Sequence, residues 1–282
     1  ADGFLFPDTL ARLAQQRPNY PTMLGNVLSE VLIVFTDILP DAPGAPADLS
    51  SFNSSIFENF IALNYPYLED KKRQLSDILT RVYKRERDIL DGDNLEWFKL
   101  SVEALSDLMF TSALRFDATY YAANGNKQLF LYTYDYMSVF GGNVTYGGWR
   151  AVPHGSELQF LWKFKADWES KELGSSITED DKAIADFLSL SDVWTSFAIK
   201  GKPSPDWPAV SSLEQMEFYR IMAPRGHVET QYVQNAHDVY NSVFQSLVGE
   251  FPPQNNGPQA RKWLDEHYLP KIRAEYERSM KC

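Results

Sequence analysis

With 282 residues, 44% of them hydrophobic and 14% aromatic, the chain has enough apolar material for a large packed core and no disordered or collagen-like bias. Its formal net charge of −11 argues against nucleic acid as a partner, because a phosphate backbone has to be met by Lys and Arg. The longest apolar run, Val31 to Phe35, is far below the ~20 residues that span a bilayer, so no transmembrane segment is expected.

In chain order, the first candidate strand lies around Met23–Val27, short and apolar and interrupted by Gly25. "PDAPGAPADLSS", 40–51, is a loop, and Ser51 is placed to cap a helix starting near Phe52. Leu68 to Leu90 has Leu75, Ile78, Leu79 and Val82 at three- and four-residue steps, the spacing of one long amphipathic helix. Its basic residues, Lys71 to Arg73 and Arg81 to Arg87, alternate with acids and form a solvated face. A second long helix spans Leu95 to Tyr121, with Leu100, Val102, Leu105, Leu108, Met109 and Leu114 inward, and its aromatic end either packs inward or faces a groove.

After the Asn124-Gly125-Asn126 turn comes "QLFLYTYDYM", 128–137, the strongest strand candidate in the chain. A loop with Gly141-Gly142 and Gly147-Gly148 leads to His154. Thr178 to Ala198 is expected as one helix, with Glu179, Asp180 and Asp181 in its first turn to match the helix dipole. "GKPSPDWP", 201–208, is a turn-rich exit, and a last helix covers Gln259 to Ser279. Separated strands among many helices give an α/β fold, but two or three strands are too few for a complete sheet. The chain therefore looks like part of one.

Ala1-Asp2-Gly3 has neither the basic start nor the apolar core of a signal peptide, and there is no initiator Met; the chain is expected to be processed or a piece of a longer protein. The sequons Asn53-Ser54-Ser55 and Asn143-Val144-Thr145 make Asn53 and Asn143 candidate glycosylation sites, compatible with secretion. The one cysteine, Cys282, is the last residue; it stands either as a free thiol or as a bridge to another subunit. No H-x-x-x-H or Cys/His spacing points to a metal, and no cofactor is expected. His227, His237 and His267 are placed on turns or polar helix faces.

His154 differs, standing in "AVPHGSEL" between Pro153 and Gly155, after a strand and in a glycine-containing loop. An imidazole titrating near neutrality can accept and return a proton there, given a carboxylate to hold its tautomer and a hydroxyl or thiol to activate. The bland alternative is a loop histidine bonded to the backbone. Trp149, Trp162, Trp168, Tyr132, Tyr134, Tyr136 and Phe140 around it are either packing residues or walls of a substrate pocket.

"GWRAVPHGSELQFLW", followed by "VWTSFAIKGKPSPDWP", resembles the type-B carboxylesterase or cholinesterase-like family of α/β-hydrolases. The likeness rests on His154, Gly155, Glu157 and Leu158 of the family's H-G-x-E-L block, and on Trp194, Phe197, Ala198, Gly201, Pro203, Trp207 and Pro208 of its W-x-x-F-A-x-x-G-x-P…W-P block. "ADGFLFP" is similar to the family's D-G-x-F-x-P segment, and "TMLGNVLSE" to its L-x-G-x-N-x-x-E segment, with Val31 where many members have Gly or an aromatic. The resemblance extends to "HYLP" at 267–270. It implies that His154 is the catalytic histidine and Glu30 the triad acid, and that the substrate is a small-molecule ester.

Triad order in α/β-hydrolases is Ser, then Asp or Glu, then His. Glu30 and His154 fill the second and third places. The first is empty: no G-x-S-x-G occurs, "GSS" at 174–176 lacks the flanks and the preceding strand, and no glycine-rich oxyanion segment precedes Glu30. The resemblance thus implies that residues 1–282 are the C-terminal part of a single domain whose N-terminal half brings the serine and the oxyanion hole. It also implies a secreted protein, alternatively one of the endoplasmic reticulum lumen, with Cys282 available to link a dimer. A disulfide common in the family has no counterpart, since Thr111 and Lys262 stand near its two ends. Three expectations follow: a serine esterase completed by another segment, a non-catalytic cholinesterase-like adhesion or binding protein, or an incomplete product without a stable fold.

Overall fold

The structure is a computed structural model that describes residues 8, 10–32, 49–85, 87–138, 145–146, 148–162, 168–169, 176–188, 193–223, 226–249 and 266. Its elements in chain order are α1 (Leu10–Ala14), β1 (Thr22–Val27), α2 (Ile56–Asn64), α3 (Lys72–Lys84), α4 (Asn94–Ser106), α5 (Ser112–Ala123), β2 (Leu129–Tyr134), β3 (Thr145–Tyr146), β4 (Trp149–Arg150), α6 (Leu158–Trp162), α7 (Glu179–Leu188), α8 (Val193–Lys200), β5 (Phe218–Ile221), β6 (His227–Glu229), α9 (Gln234–Asp238) and α10 (Gln245–Val248). Two π-helical segments join helices end to end: Asp107–Thr111 between α4 and α5, and Val239–Phe244 between α9 and α10.

Four strands form a mixed sheet in the order β1-β2-β5-β6, and β3 and β4 make a separate small ribbon. β1 runs parallel to β2 from Thr22 opposite Leu129 to Val27 opposite Tyr134. β2 runs parallel to β5, and β6 returns antiparallel on β5. The α/β class holds, and the sheet is larger than the two strands legible in the sequence because β5 and β6 are too short to show an alternating pattern. β2 is buried along nearly its whole length, as a parallel strand covered on both faces should be.

Side chains of β2 divide between the faces with period two. Leu129 and Leu131 point into a cluster with Ala118 of α5, Met216 and Tyr232. Phe130 and Tyr134 point to the other face, against Phe160 of α6, Ile184 and Leu188 of α7, and Trp207. A third apolar cluster lies among α2, α3, α4 and the Val239–Phe244 segment, and reaches Val31 and Leu32 just beyond β1.

Gly25 does not break β1. A Cβ there would lie 2.2 Å from the Tyr132 ring of β2, so the missing side chain is what lets that ring lie across the neighbouring strand. The first expected helix begins at Ile56 rather than Phe52, after a 3-10 turn at Leu49–Ser51; the Asn53 side-chain oxygen accepts the Ser55 N–H at 2.9 Å in an intervening turn. The expected helix 68–90 is shorter, 72–84. It buries Leu75, Ser76, Leu79 and Tyr83 and stops at Arg85, whose φ is +50°. The helix expected over 178–198 is two, α7 and α8. Thr178 and Asp181 cap α7 reciprocally: the Thr178 hydroxyl accepts the Asp181 N–H at 3.1 Å, and the Asp181 carboxylate accepts the Thr178 N–H at 2.8 Å. The helix expected over 259–279 and the "HYLP" segment fall outside the described residues apart from Glu266.

Candidate active site

Glu30 and His154 are 124 positions apart, and backbone hydrogen bonding brings their segments together. At the end of β1 the chain turns through Leu28 and Ser29. There the Ser29 N–H donates to the Val152 carbonyl at 3.0 Å, and Ser29 forms a parallel bridge with Pro153. The acid-bearing turn is thereby aligned with the base-bearing loop residue by residue.

The Glu30 carboxylate is then fixed by two contacts. One oxygen accepts the Val27 N–H at 2.9 Å, the last amide of β1. The other meets His154 Nδ1 at 2.5 Å. An ionised carboxylate only accepts hydrogen bonds, so Nδ1 carries the proton and the Nε2 lone pair is left to act as a base. Glu30 is buried, its side chain 9% exposed, while His154 is 48% exposed. The arrangement therefore has a dry anchoring acid and a base whose working edge can reach a reacting group.

Two neighbours hold this pair. The Phe110 ring lies 5.6 Å from the imidazole, tilted by 38°. The Ser106 hydroxyl accepts the Val31 N–H at 3.1 Å and so secures the residue after the acid. Both belong to the helix run 94–123, and Phe110 sits inside the π-helical segment. Neither was singled out in the sequence, where they look like ordinary positions of an amphipathic helix. On the loop side, Gly155 has φ +76°, a conformation that suits glycine, and the Ser156 N–H and hydroxyl both donate to the Pro153 carbonyl.

Glu157 lies at the start of α6, with its carbonyl accepting the Phe160 and Leu161 N–H groups. Burial pushes its carboxyl pKa up, the Glu30 charge adds to this, and its own backbone N–H and His154 oppose it. The Tyr132 and Tyr134 hydroxyls of β2 are pushed up by burial first and then by Glu157.

The aromatic residues around the loop divide in role. Trp149 packs edge-on against Phe98 at 5.8 Å, and Trp168 against Phe160 at 6.0 Å, its indole N–H donating to the Gln159 carbonyl. Tyr132 packs against Trp194 and Trp207, and Tyr134 is buried. Trp162, Leu28, Met109 and Leu158 are exposed, Met109 against the inward position expected of it. Phe140 lies outside the described residues.

The other expected sites are placed as follows. Asn53 lies in the turn before α2, next to exposed Ser54 and Ser55, while Asn143, Lys262, His267 and Cys282 are outside the described residues. Thr111 is buried, its hydroxyl donating to the Ser106 carbonyl. His227 stands on β6 rather than on a turn, 2.8 Å from the Glu229 carboxylate. His237 is on α9, half-buried, and is pushed down by burial and by the Arg115 charge. Among the described residues, no cluster of His, Cys, Asp or Glu could hold a metal ion, and no helix is long and apolar enough to cross a membrane.

The family model described as the carboxylesterase family matches residues 1–240. The chain belongs to the carboxylesterase family. Membership at this level means an ester-hydrolase fold with a small-molecule ester as the substrate class. The match takes in β1 to β6 and both partners of the Glu30–His154 pair, and it ends before the C-terminal "HYLP" likeness. Comparison with curated proteins returns no match.

Proposed function

We propose that this carboxylesterase-family chain supplies the acid and the base of a serine esterase whose nucleophile and oxyanion donors lie on a preceding segment of the same domain. The observation that carries the reading is the contact of Glu30 with His154 Nδ1, which leaves Nε2 available. In the reaction, Nε2 takes the serine proton as the hydroxyl oxygen attacks the ester carbonyl. It then returns that proton to the departing alkoxide, giving the alcohol and an acyl-enzyme. In the second half-reaction, water attacks the acyl carbonyl as it gives a proton to Nε2, and Nε2 passes that proton to the serine oxygen as the acid product leaves. Glu30 orients the imidazole and stabilises the imidazolium throughout.

β1 is at one end of the four-stranded order; Glu30 follows the C-terminal end of β1, and the Ser29–Pro153 bridge sets the His154 loop beside it. A strand from the preceding segment, added beside β1, would deliver its following turn to the same end of the sheet, where His154 waits. The reading also places the protein in a secreted or lumenal setting, with Asn53 and Asn143 as glycan acceptors and Cys282 as an intersubunit bridge. Glycosidase treatment should lower the apparent mass, and reductant should convert dimer to monomer on a gel.

The test is hydrolysis of p-nitrophenyl butyrate by the full-length protein. His154→Ala should lower kcat about 10³-fold or more with little change in KM. Full activity in that variant would sink the assignment, and an inert full-length protein would favour a cholinesterase-like binding role.

A further inference from the structure

We propose that Arg115 and His237 bind a chloride-sized monovalent anion between α5 and α9. The site is independent of the esterase reading, because neither residue touches the Glu30–His154 pair or takes part in its chemistry.

Arg115 stands in the first turn of α5 and is only 4% exposed. Its guanidinium is permanently charged and carries donors on all three nitrogens. Nη2 reaches the Gln234 side-chain oxygen at 3.4 Å, a long contact to a neutral group. Nε and Nη1 are buried and have no hydrogen-bond partner among the described residues. The same is true of His237 Nδ1 on α9.

Two contacts set the register that brings these nitrogens to one level. The Asn241 amide donates to the Ser112 carbonyl at 2.9 Å, and Gln234 meets Arg115 one turn further along α5. The run from α9 into the Val239–Phe244 segment therefore packs antiparallel to α5, with Arg115 level with the Gln234–Asp238 turn. His237 follows Gln234 by one turn and shares its helix face. The Gln234 contact thus places the imidazole on the side of α9 that faces the guanidinium.

Nothing charged within the chain closes on Arg115. The ionisable groups that face it, besides His237, are Asp238 and Tyr232. Asp238 is exposed and its Oδ1 accepts the Gln234 amide at 2.7 Å; among the described residues, no carboxylate lies within ion-pair distance of Arg115. Tyr232 is fully buried, and its hydroxyl donates to Asn26 Oδ1 at 2.8 Å, as a neutral phenol does. Burial pulls the Arg115 pKa down, and Asp238 offsets this only in part. A buried cation with unmade hydrogen bonds is strongly unfavourable. Water would satisfy the N–H groups but brings no charge, whereas an anion supplies both. The site suits a small monovalent ion: Asp238 repels further negative charge, and the Asn241–Ser112 bond one turn away keeps the helices close. His237 is half-buried beside exposed Asp238, which gives such an ion a short way in.

The experiment is a titration of the full-length protein with sodium chloride against sodium gluconate at constant ionic strength, read as the ³⁵Cl NMR line width. The parent should show a saturable excess width. Arg115→Met, which keeps the length without the charge, should lose it. His237→Ala should weaken the apparent affinity about tenfold, the loss of one hydrogen bond to a charged group. No saturable excess in the parent, or one that persists in Arg115→Met, overturns the proposal. Should Arg115→Met fail to fold, His237→Ala decides, and an affinity equal to the parent's overturns it. Crystals soaked in bromide locate the ion directly: an anomalous peak between Arg115 and His237 is expected, and bromide bound only elsewhere contradicts the assignment.

Discussion

Gly25 and Glu30 show how much a single position decides here. Gly25 lies under the Tyr132 ring, with 2.2 Å available to a Cβ. Gly25→Ala therefore forces a buried aromatic off its place, and urea unfolding should show a loss of about 1–3 kcal/mol. Glu30 is decided by proton geometry rather than by space. Glu30→Gln can still accept the Val27 N–H, but its other terminal group becomes an N–H donor facing Nδ1. The imidazole is then pushed to the tautomer with its proton on Nε2, where it cannot act as a base. The full-length esterase should lose about 10³–10⁴ in kcat while folding normally by circular dichroism. Both residues belong to one short segment, "LGNVLSE", so its strand character and its acid are legible together in the sequence. That the acid's partner is His154 came from the family resemblance and not from the local pattern, because the Ser29–Val152 hydrogen bond that aligns the two loops is a long-range event with no local signature.

Among the elements, the run from Asn94 to Ala123 departs most informatively from its sequence. Its periodicity reads as one helix, and Leu100, Val102, Leu105 and Leu108 are buried as expected. The π-helical segment Asp107–Thr111 shifts the phase: Met109 turns outward and Phe110 meets His154. Such segments recur at functional sites, and no residue type announces them. Asp107 opens this segment, with the Tyr83 hydroxyl donating to its carboxyl at 2.8 Å. Burial pushes the Asp107 pKa up to about 7, and Glu103 adds to the rise, while the Tyr83 and Thr111 hydrogen bonds and Arg85 oppose it.

A carboxyl raised above its unfolded value near 3.9 binds more protons in the folded state between those pH values. Stability from this group is therefore present at acid pH and falls as pH rises from about 4 to about 7, by up to roughly 1.4 kcal/mol per pH unit. Above pH 7 its contribution is level. Asp107→Asn, which can still accept from Tyr83, should flatten that slope and be more stable than the parent at pH 8. Urea denaturation at pH 5 and pH 8 measures both effects, and an unchanged slope would place the titration elsewhere.

At the scale of the whole molecule, the sheet holds the candidate site at one end and a tightly packed aromatic face beneath. Trp207 is fully buried, stacks on Tyr219 at 4.9 Å and donates its indole N–H to the Leu131 carbonyl of β2 at 3.1 Å. Trp207→Ala should cost about 3–5 kcal/mol, read from the urea midpoint. The "GKPSPDWP" stretch that carries this tryptophan was legible as a turn and as a family block, whereas its function as the prop of β2 needed the fold. β2 was legible because six consecutive aromatic, aliphatic and Thr residues suit a buried strand. β5 and β6, four and three residues long, carry too little pattern to be separated from loop. What was legible of the site came from local blocks around His154 and Glu30; what was not, Phe110 and Ser106, is contributed by a helix run that reads as plain core.

The most direct measurement is reaction of the full-length protein with a fluorophosphonate, followed by peptide mass mapping and by the rate of adduct formation in His154→Ala. The expected result is a single adduct on a serine that precedes Ala1, formed about 10³-fold more slowly or not at all in the variant. An adduct on a serine within residues 1–282, or one whose rate does not depend on His154, would contradict the assignment of this chain as the acid and base of an esterase completed by a preceding segment.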